Sequence, residues 1–99
     1  MRYYLYSSTG NTLGIDPYIG YFQIGDDGFC KRYIELNAGG IALRYTEERS
    51  ADIYGQLPEG NWSDNDPEMS KKAYGVITPI TEDLFETAWT STRCTNENT

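Results

Sequence analysis

Two short glycine-containing turns, each flanked by runs of β-forming residues, constrain the fold of this chain most strongly. The first turn, residues 26–28 with sequence DDG, separates residues 18–24 from residues 29–36. The second turn, residues 37–40 with sequence NAGG, precedes residues 41–47. Aromatic and β-branched runs bounded by Gly, Asp and Asn are typical of antiparallel hairpins. The pattern therefore predicts a three-stranded meander.

The lengths of the two loops predict how the strands pair. A four-residue second loop places Ile34 opposite Leu43, and a three-residue first loop with a left-handed Gly28 places Ile24 opposite Cys30. The other predicted pairs are Phe22–Arg32, Arg32–Tyr45 and Leu36–Ile41. These pairs bring one apolar set to a single face: Phe22, Ile24, Cys30, Ile34, Leu36, Ile41 and Leu43. The opposite face, facing solvent or a partner, is predicted to carry Lys31, Tyr33, Glu35, Ala42, Arg44 and Thr46. A slip of one residue would exchange the two faces.

The remaining segments complete an α+β prediction. Further strands are predicted at residues 2–6 and 73–78, with a fourth or edge strand at residues 52–57 and a short helical turn at 67–72. Thr81 is a good N-cap for a C-terminal helix whose apolar stripe should dock on the Ile24/Leu36 face of the sheet, with its acids outside. The stripe is Leu84, Phe85, Ala88 and Trp89, and the acids are Glu82, Asp83 and Glu86. We therefore expect one domain over residues 1–99: an antiparallel meander of four to five strands with a helix on one face and a frayed tail at 90–99.

The charge of the chain is unevenly distributed. Residues 1–46 hold four acids and four bases, so the whole net charge of −7 lies in residues 47–99. The densest acidic stretch is residues 47–68, where Arg49 is the only base. Such a surface repels nucleic acid and anionic membrane and attracts cationic proteins. Because the chain also has no histidine, the commonest general acid–base group is absent, and a binding module is favoured over an enzyme.

Sequence motifs for chemistry are weak. Asp64, Asp66 and Glu68 have the spacing of a calcium loop, but its glycine and its twelfth-position acid are missing. Glu47 and Glu48 are an unpromising catalytic pair, since neighbours on a strand point to opposite faces. Cysteines 30 and 94 form no CxxC pair and are expected to be free thiols, Cys30 buried in a strand and Cys94 in the tail. We therefore expect no catalytic residue, metal or cofactor.

The acidic stretch is the expected partner-binding surface. Trp62, at its centre, is either folded over the sheet edge or displayed as an anchor, and an aromatic ring among acids is typical of a hot spot for a basic partner. The residues expected to contact the partner are Glu47, Glu48, Asp52, Tyr54, Glu59, Trp62, Asp64, Asp66 and Glu68. A solvated face that only keeps the domain soluble is the competing interpretation.

Two stretches resemble a family of small, functionally uncharacterised bacterial domains encoded beside polymorphic toxins. Residues 21–40, YFQIGDDGFCKRYIELNAGG, are similar to the family's strand, acidic turn, Arg-x-x-Glu strand and glycine turn. Residues 66–68 and 80–89, DPE and ITEDLFETAW, are similar to its closing segment and helix. The chain departs from the pattern at Gln23, where an acid is usual, and in the loop from Pro58. The resemblance implies an immunity protein of contact-dependent growth inhibition, and it carries over no catalytic residue.

Charge and resemblance together predict a cytoplasmic immunity protein that neutralises a cognate basic toxin. A nuclease is the toxin class that the acidic charge favours. The protein is expected to be monomeric or weakly dimeric. A nuclease must present cations to phosphate, and an acidic surface can occupy that site. No direct contact with nucleic acid or membrane is expected, and no stretch of the sequence is apolar enough to suggest a membrane span. The alternatives are a nucleic-acid mimic that inhibits another basic protein, and a small-ligand or sugar-binding module that uses Tyr and Trp platforms.

Overall fold

The computed structural model describes residues 1–8, 18–37, 39–59 and 75–95, which form a five-stranded antiparallel sheet with one C-terminal helix. The elements are β1 (Arg2–Ser8), β2 (Tyr18–Ile24), β3 (Cys30–Asn37), β4 (Ala42–Thr46), β5 (Gly75–Pro79) and α1 (Glu82–Ser91). The strand order is β4-β3-β2-β1-β5, so the first four strands form a meander and β5 is added beside β1. The α+β prediction is confirmed.

The segment predicted as a strand at residues 52–57 is instead a tight turn. It carries one isolated bridge, between Ala51 and Gln56. The physical reason is the Asp52 side chain, whose Oδ1 accepts hydrogen bonds from the backbone N–H groups of Tyr54 (2.8 Å) and Gly55 (3.2 Å) and closes the chain on itself. The helical turn predicted at residues 67–72 lies outside the described residues.

The first hairpin follows the prediction at its turn and departs from it one pair later. Gly25 N donates to Phe29 O (2.9 Å), Gly28 has a φ of 87°, and Ile24 lies opposite Cys30 as expected. The register then shifts, because Gln23 pairs with Arg32 and Lys31 is left as an extra residue in a β-bulge. Phe22 therefore pairs with Tyr33, and the predicted Phe22–Arg32 pair is wrong.

The second hairpin differs from the prediction by one residue. Asn37 belongs to the strand and not to the loop: its N–H donates to Ile41 O (3.0 Å), and its Oδ1 accepts from the N–H groups of Gly39 (2.9 Å) and Ile41 (3.2 Å). This side chain bridges the turn, so the strand extends to Asn37 and the loop is one residue shorter than the predicted four. The observed pairs are Leu36–Ala42, Glu35–Leu43, Ile34–Arg44, Tyr33–Tyr45 and Arg32–Thr46.

The shifted register divides the apolar residues between both faces of the sheet, so the predicted single apolar face is wrong. One face holds the tyrosine-side cluster: Tyr6, Phe22, Ile24, Cys30, Tyr33, Leu43, Tyr45 and Leu57. The other face holds the helix-side cluster of Ile34, Ala42 and Cys94, against which Leu36, Ala88 and Trp89 pack. Ile34 and Leu43 are both buried, but on opposite faces, and Tyr33 is buried and not turned to solvent.

Helix α1 begins as the sequence predicts. Thr81 is the N-cap, and its Oγ1 accepts a hydrogen bond from Leu84 N at 3.2 Å. Phe85 is fully buried, with its ring 5.3 Å from that of Tyr3. Trp89 packs on the helix-side cluster together with Leu36, as the predicted docking of the helix requires. The predicted docking on Ile24 is wrong, because Ile24 lies on the opposite face of the sheet.

Two arginines hold the helix to the sheet, which the sequence did not predict. The guanidinium of Arg32 lies 4.9 Å from the ring centroid of Trp89 and forms an ion pair with Glu86, whose side chain remains 40% exposed. This pairing lowers the pKa of Glu86. The guanidinium of Arg44 lies 4.4 Å from the same ring and donates to the backbone oxygens of Trp89 (2.6 Å) and Thr92 (2.9 Å). Arg44 thus stabilises the carbonyl end of α1, which has no basic residue in its own last turn.

The chain remains packed after the helix ends. Cys94 is buried in the helix-side cluster, and Thr95 N donates to Ala42 O at 2.7 Å. The prediction of a frayed tail is therefore wrong for residues 90–95, because apolar burial and Arg44 hold them on the sheet. Residues 96–99 lie outside the part of the chain that the structure describes.

Candidate functional site

Five of the nine predicted partner-binding residues lie in the described part of the acidic stretch, which we call the acidic loop (residues 47–59). They are Glu47, Glu48, Asp52, Tyr54 and Glu59. The other four, Trp62, Asp64, Asp66 and Glu68, lie outside the described residues, as does the calcium-like spacing that three of them form. The acidic loop follows β4 directly and is the part of the predicted surface whose geometry can be analysed.

The acidic loop is held on the sheet by backbone hydrogen bonds at its start and by a buried side chain near its end. At its start, Arg49 N donates to Thr46 O (3.1 Å), and Thr46 N donates to Arg49 O (3.2 Å). Towards its end, Leu57 N donates to Ser50 O (2.7 Å), and the Leu57 side chain is buried in the tyrosine-side cluster. The buried Leu57 side chain anchors the loop over the face opposite the helix.

Asp52 braces the turn between these anchors. Its Oδ1 accepts from Tyr45 Oη (2.8 Å) in addition to the N–H groups of Tyr54 and Gly55, and its own N–H donates to Gly55 O (3.0 Å). Burial, together with this carboxylate, raises the pKa of the Tyr45 hydroxyl. Because the Asp52 side chain is only 14% exposed and points into the protein, its observed role is structural, which argues against direct contact with a partner.

The braced turn displays two large side chains to solvent. Ile53 is 92% exposed and Tyr54 is 47% exposed. Tyr54 was predicted as a contact residue from the sequence, and Ile53 was missed. The signal that could have found Ile53 is its position after an Asp that favours turns, where a β-branched side chain has no strand to pack in.

The charges of the acidic loop are partly compensated. Lys31 Nζ lies 2.8 Å from Asp27 Oδ2 and 3.3 Å from Glu47 Oε2, and Arg49 lies 3.9 Å from Asp52. The hydrogen bond between Lys31 and Asp27 is the main reason that the pKa of Lys31 is raised and that of Asp27 lowered. Glu47 and Asp52 are therefore paired with bases, and the unpaired charge of the acidic loop is smaller than a count of its acids against Arg49 indicates.

Glu48 and Glu59 complete the exposed charge of the acidic loop. Both are exposed, and no basic side chain within the described ranges lies in ion-pair distance of either. An excess of negative charge therefore remains at this surface.

A pocket of about 360 Å³ opens beside the acidic loop. Its floor is formed by the buried side chains of Cys30 and Leu57, and Pro58 and the half-exposed Phe29 also line it. Its lining also includes two exposed acids, Glu47 and Glu59. Burial raises the pKa of the Cys30 thiol to about 12, so this sulfur stays protonated and is a poor nucleophile at neutral pH.

A second concavity lies between α1 and the sheet. It has a volume of about 620 Å³, and its lining includes Tyr21, Leu36, Leu84 and Ala88. Among the described residues, Asp83 is the one charged side chain in that lining. This groove lacks the combination of displayed apolar side chains and several carboxylates that distinguishes the acidic loop.

The described residues hold no group of three or more His, Cys, Asp or Glu side chains that could bind a metal ion. Helix α1 is too short to cross a membrane, and the described ranges contain no longer helix. Glu47 and Glu48, weighed above as a catalytic pair, are both exposed.

Comparison of the chain with models of known protein families found no match. Comparison with curated proteins found no match, and comparison with solved structures likewise found none.

Proposed function

We propose that this protein is an immunity protein that binds a cognate basic toxin of the nuclease class and neutralises it through the acidic loop. The observation that carries the proposal is the turn held by Asp52, which displays Ile53 and Tyr54 in the same loop as the exposed residues Glu48 and Glu59.

The composition of this surface matches what a protein partner recognises. Interfaces combine a few large side chains that are desolvated on binding with a polar rim, and tyrosine is enriched among the residues that contribute most. Ile53 and Tyr54 supply the first element, and the carboxylates supply the second. A nuclease presents cations to the phosphates of its substrate, so it offers a surface of complementary charge.

The rigidity of the turn also supports the proposal. Ordering a loop on binding opposes affinity, so a loop that is already held in one conformation binds more tightly. Asp52 and Leu57 hold the acidic loop on the sheet before any partner arrives. The sugar-binding alternative has less support, because Tyr54 is the one exposed tyrosine among the described residues and Tyr6, Tyr33 and Tyr45 are buried.

The test is co-expression with the toxin encoded by the neighbouring gene, together with binding kinetics. Ile53→Ser should speed dissociation by about tenfold or more, since it removes an apolar anchor. Val76→Ser is the matched control, because Val76 is also an exposed β-branched residue but lies on β5. Glu59→Lys should mainly slow association, and the difference from the unmodified protein should shrink as salt is added.

The three acidic contact residues predicted beyond Glu59 have their own test. Reversing Asp64, Asp66 and Glu68 to Lys should abolish protection and leave the thermal unfolding transition intact. If cells carrying this reversal or Ile53→Ser survive the toxin as well as cells carrying Val76→Ser, with unchanged binding rates at low salt, the acidic surface is not the interface.

A further inference from the structure

We propose that the pocket beside the acidic loop is a receptor for one arginine side chain of the protein partner. The inference rests on the proposed function for the nature of the partner, and it adds the chemical group that this part of the surface recognises. The pocket is distinct from the displayed turn, since neither Ile53 nor Tyr54 lines it.

The size and lining of the pocket fit a long side chain with a cationic end. Its volume of about 360 Å³ is near the lower end of ligand pockets, which span roughly 300–1,000 Å³. Leu57 and Pro58 offer apolar surface to the methylene stem of an arginine, which is favourable because such stems pack on apolar surface while the charged end stays polar.

Phe29 favours arginine over lysine. Phe29 is 45% exposed and lines the pocket. A planar guanidinium stacks on an aromatic face, whereas an ammonium interacts as a compact point charge. The same chain uses this contact internally, where the Arg44 guanidinium lies 4.4 Å from the Trp89 ring centroid.

Glu47 and Glu59 supply the charge. The Glu47 carboxylate is 62% exposed and is bonded to Lys31 through Oε2. A carboxylate has about four acceptor sites, so Glu47 can accept a second cation without releasing Lys31. Glu59 also lines the pocket and adds a second carboxylate, and two carboxylates can satisfy the five N–H donors of a guanidinium better than one.

The experiment uses the full chain labelled with ¹⁵N and three soluble probes: Nα-acetylargininamide, Nα-acetyllysinamide and Nα-acetylcitrullinamide. Citrulline has nearly the shape of arginine without its charge. The arginine probe should give saturable shifts of the backbone signals of Phe29 and Leu57, the citrulline probe should give none, and the lysine probe should bind more weakly.

Two variants and one control locate the site. Glu59→Gln should weaken binding of the arginine probe by about tenfold, the value of one charge-assisted hydrogen bond. Phe29→Ala should reduce the preference for arginine over lysine. Asp83→Asn is the matched control, because Asp83 is an exposed acid on α1 away from this pocket, and it should leave the affinity unchanged. Thermal unfolding of each variant checks that it is folded.

Several outcomes overturn the proposal. They are equal binding of arginine and citrulline, equal binding of arginine and lysine, and shifts as large around Asp83 as around Leu57. These failures differ from a failure of the proposed function. If the protein neutralises the toxin but does not bind the arginine probe, only the proposal of an arginine receptor is rejected. If the protein binds the arginine probe but gives no protection against the toxin, only the proposed immunity function is rejected.

Discussion

Removal of the Asp52 carboxylate should destabilise the protein far more than removal of any exposed acid in the same loop. Asp52→Ala deletes the acceptor for the N–H groups of Tyr54 and Gly55, both in exposed hydrogen bonds that water can replace. These two losses cost about 0.5 kcal/mol each. The hydroxyl of Tyr45, a residue that is 1% exposed, loses its 2.8 Å partner, and a buried donor without a partner costs roughly 1–3 kcal/mol.

The expected total is about 3 kcal/mol, a large fraction of the roughly 5–15 kcal/mol by which small domains are stable. Asp52→Asn keeps an acceptor oxygen but loses its charge, and about 1 kcal/mol is expected. Glu48→Ala, in the same loop and exposed, should change the free energy of unfolding by less than about 0.5 kcal/mol.

The assay is urea unfolding of Asp52→Ala, Tyr45→Phe and the double variant. Tyr45→Phe removes the hydroxyl that needs a partner, so Asp52→Ala should cost only about 1 kcal/mol in that background. The two side chains should therefore couple by about 2 kcal/mol, with an unchanged slope of free energy against urea. A cost below about 0.5 kcal/mol for Asp52→Ala, or two additive single changes, would refute the bracing role and return Asp52 to the exposed binding surface.

Three further predictions concern the sheet, the chain end and pH. Ile34→Ala should lower the free energy of unfolding by about 2–4 kcal/mol in urea, because Ile34 is 0% exposed against the helix; a change under about 1 kcal/mol would contradict this burial. Ending the chain at Ser91 should lower the melting temperature, since the packing of the following residues on β4 is lost; an unchanged transition would restore the frayed-tail prediction. Burial raises the pKa of Tyr18 to about 12 and raises that of Tyr33 as well, from an ordinary 10.0, so the folded state holds these protons more tightly than the unfolded state. The resulting stability is complete below about pH 10 and is lost as pH rises through the folded values, so part of the tyrosinate absorbance should appear only as the circular dichroism signal is lost; ionisation of all nine tyrosines near pH 10 in the folded protein would contradict this.

Local sequence signals determined the elements of the fold. The left-handed Gly28 closes its hairpin as predicted, because few other residues accept a φ of 87° without strain. Thr81 begins the helix because its side chain bonds to Leu84 N, an interaction set by residues three apart. Five strands and a helix therefore follow from short-range chemistry, and so does the acidity of residues 47–68.

The candidate site was located by the sequence only in outline. Charge density pointed to the acidic loop and to Tyr54, but not to the exposed Ile53 or to the pocket at Phe29. The sequence also grouped Asp52 with the exposed acids. Composition indicates which residues carry charge, and it does not indicate which direction their side chains take.

Only the tertiary structure decided the pairing of β3 with β4 and the distribution of residues between the two faces. The β-bulge at Lys31 places Ile34 on the helix face, opposite to Phe22 and Ile24. The Asn37 side chain then makes the second loop one residue shorter than predicted, so Ile34 pairs with Arg44 and Leu43 lies on the other face. The contacts made by the side chains of Asp52 and Arg44 also depend on how distant segments of the chain pack together. Asp52 reaches the buried hydroxyl of Tyr45 on β4, and Arg44 reaches the carbonyl end of a helix 45 residues later in the chain. Such contacts arise only when distant segments pack together, so they leave no periodic or local signal in the sequence.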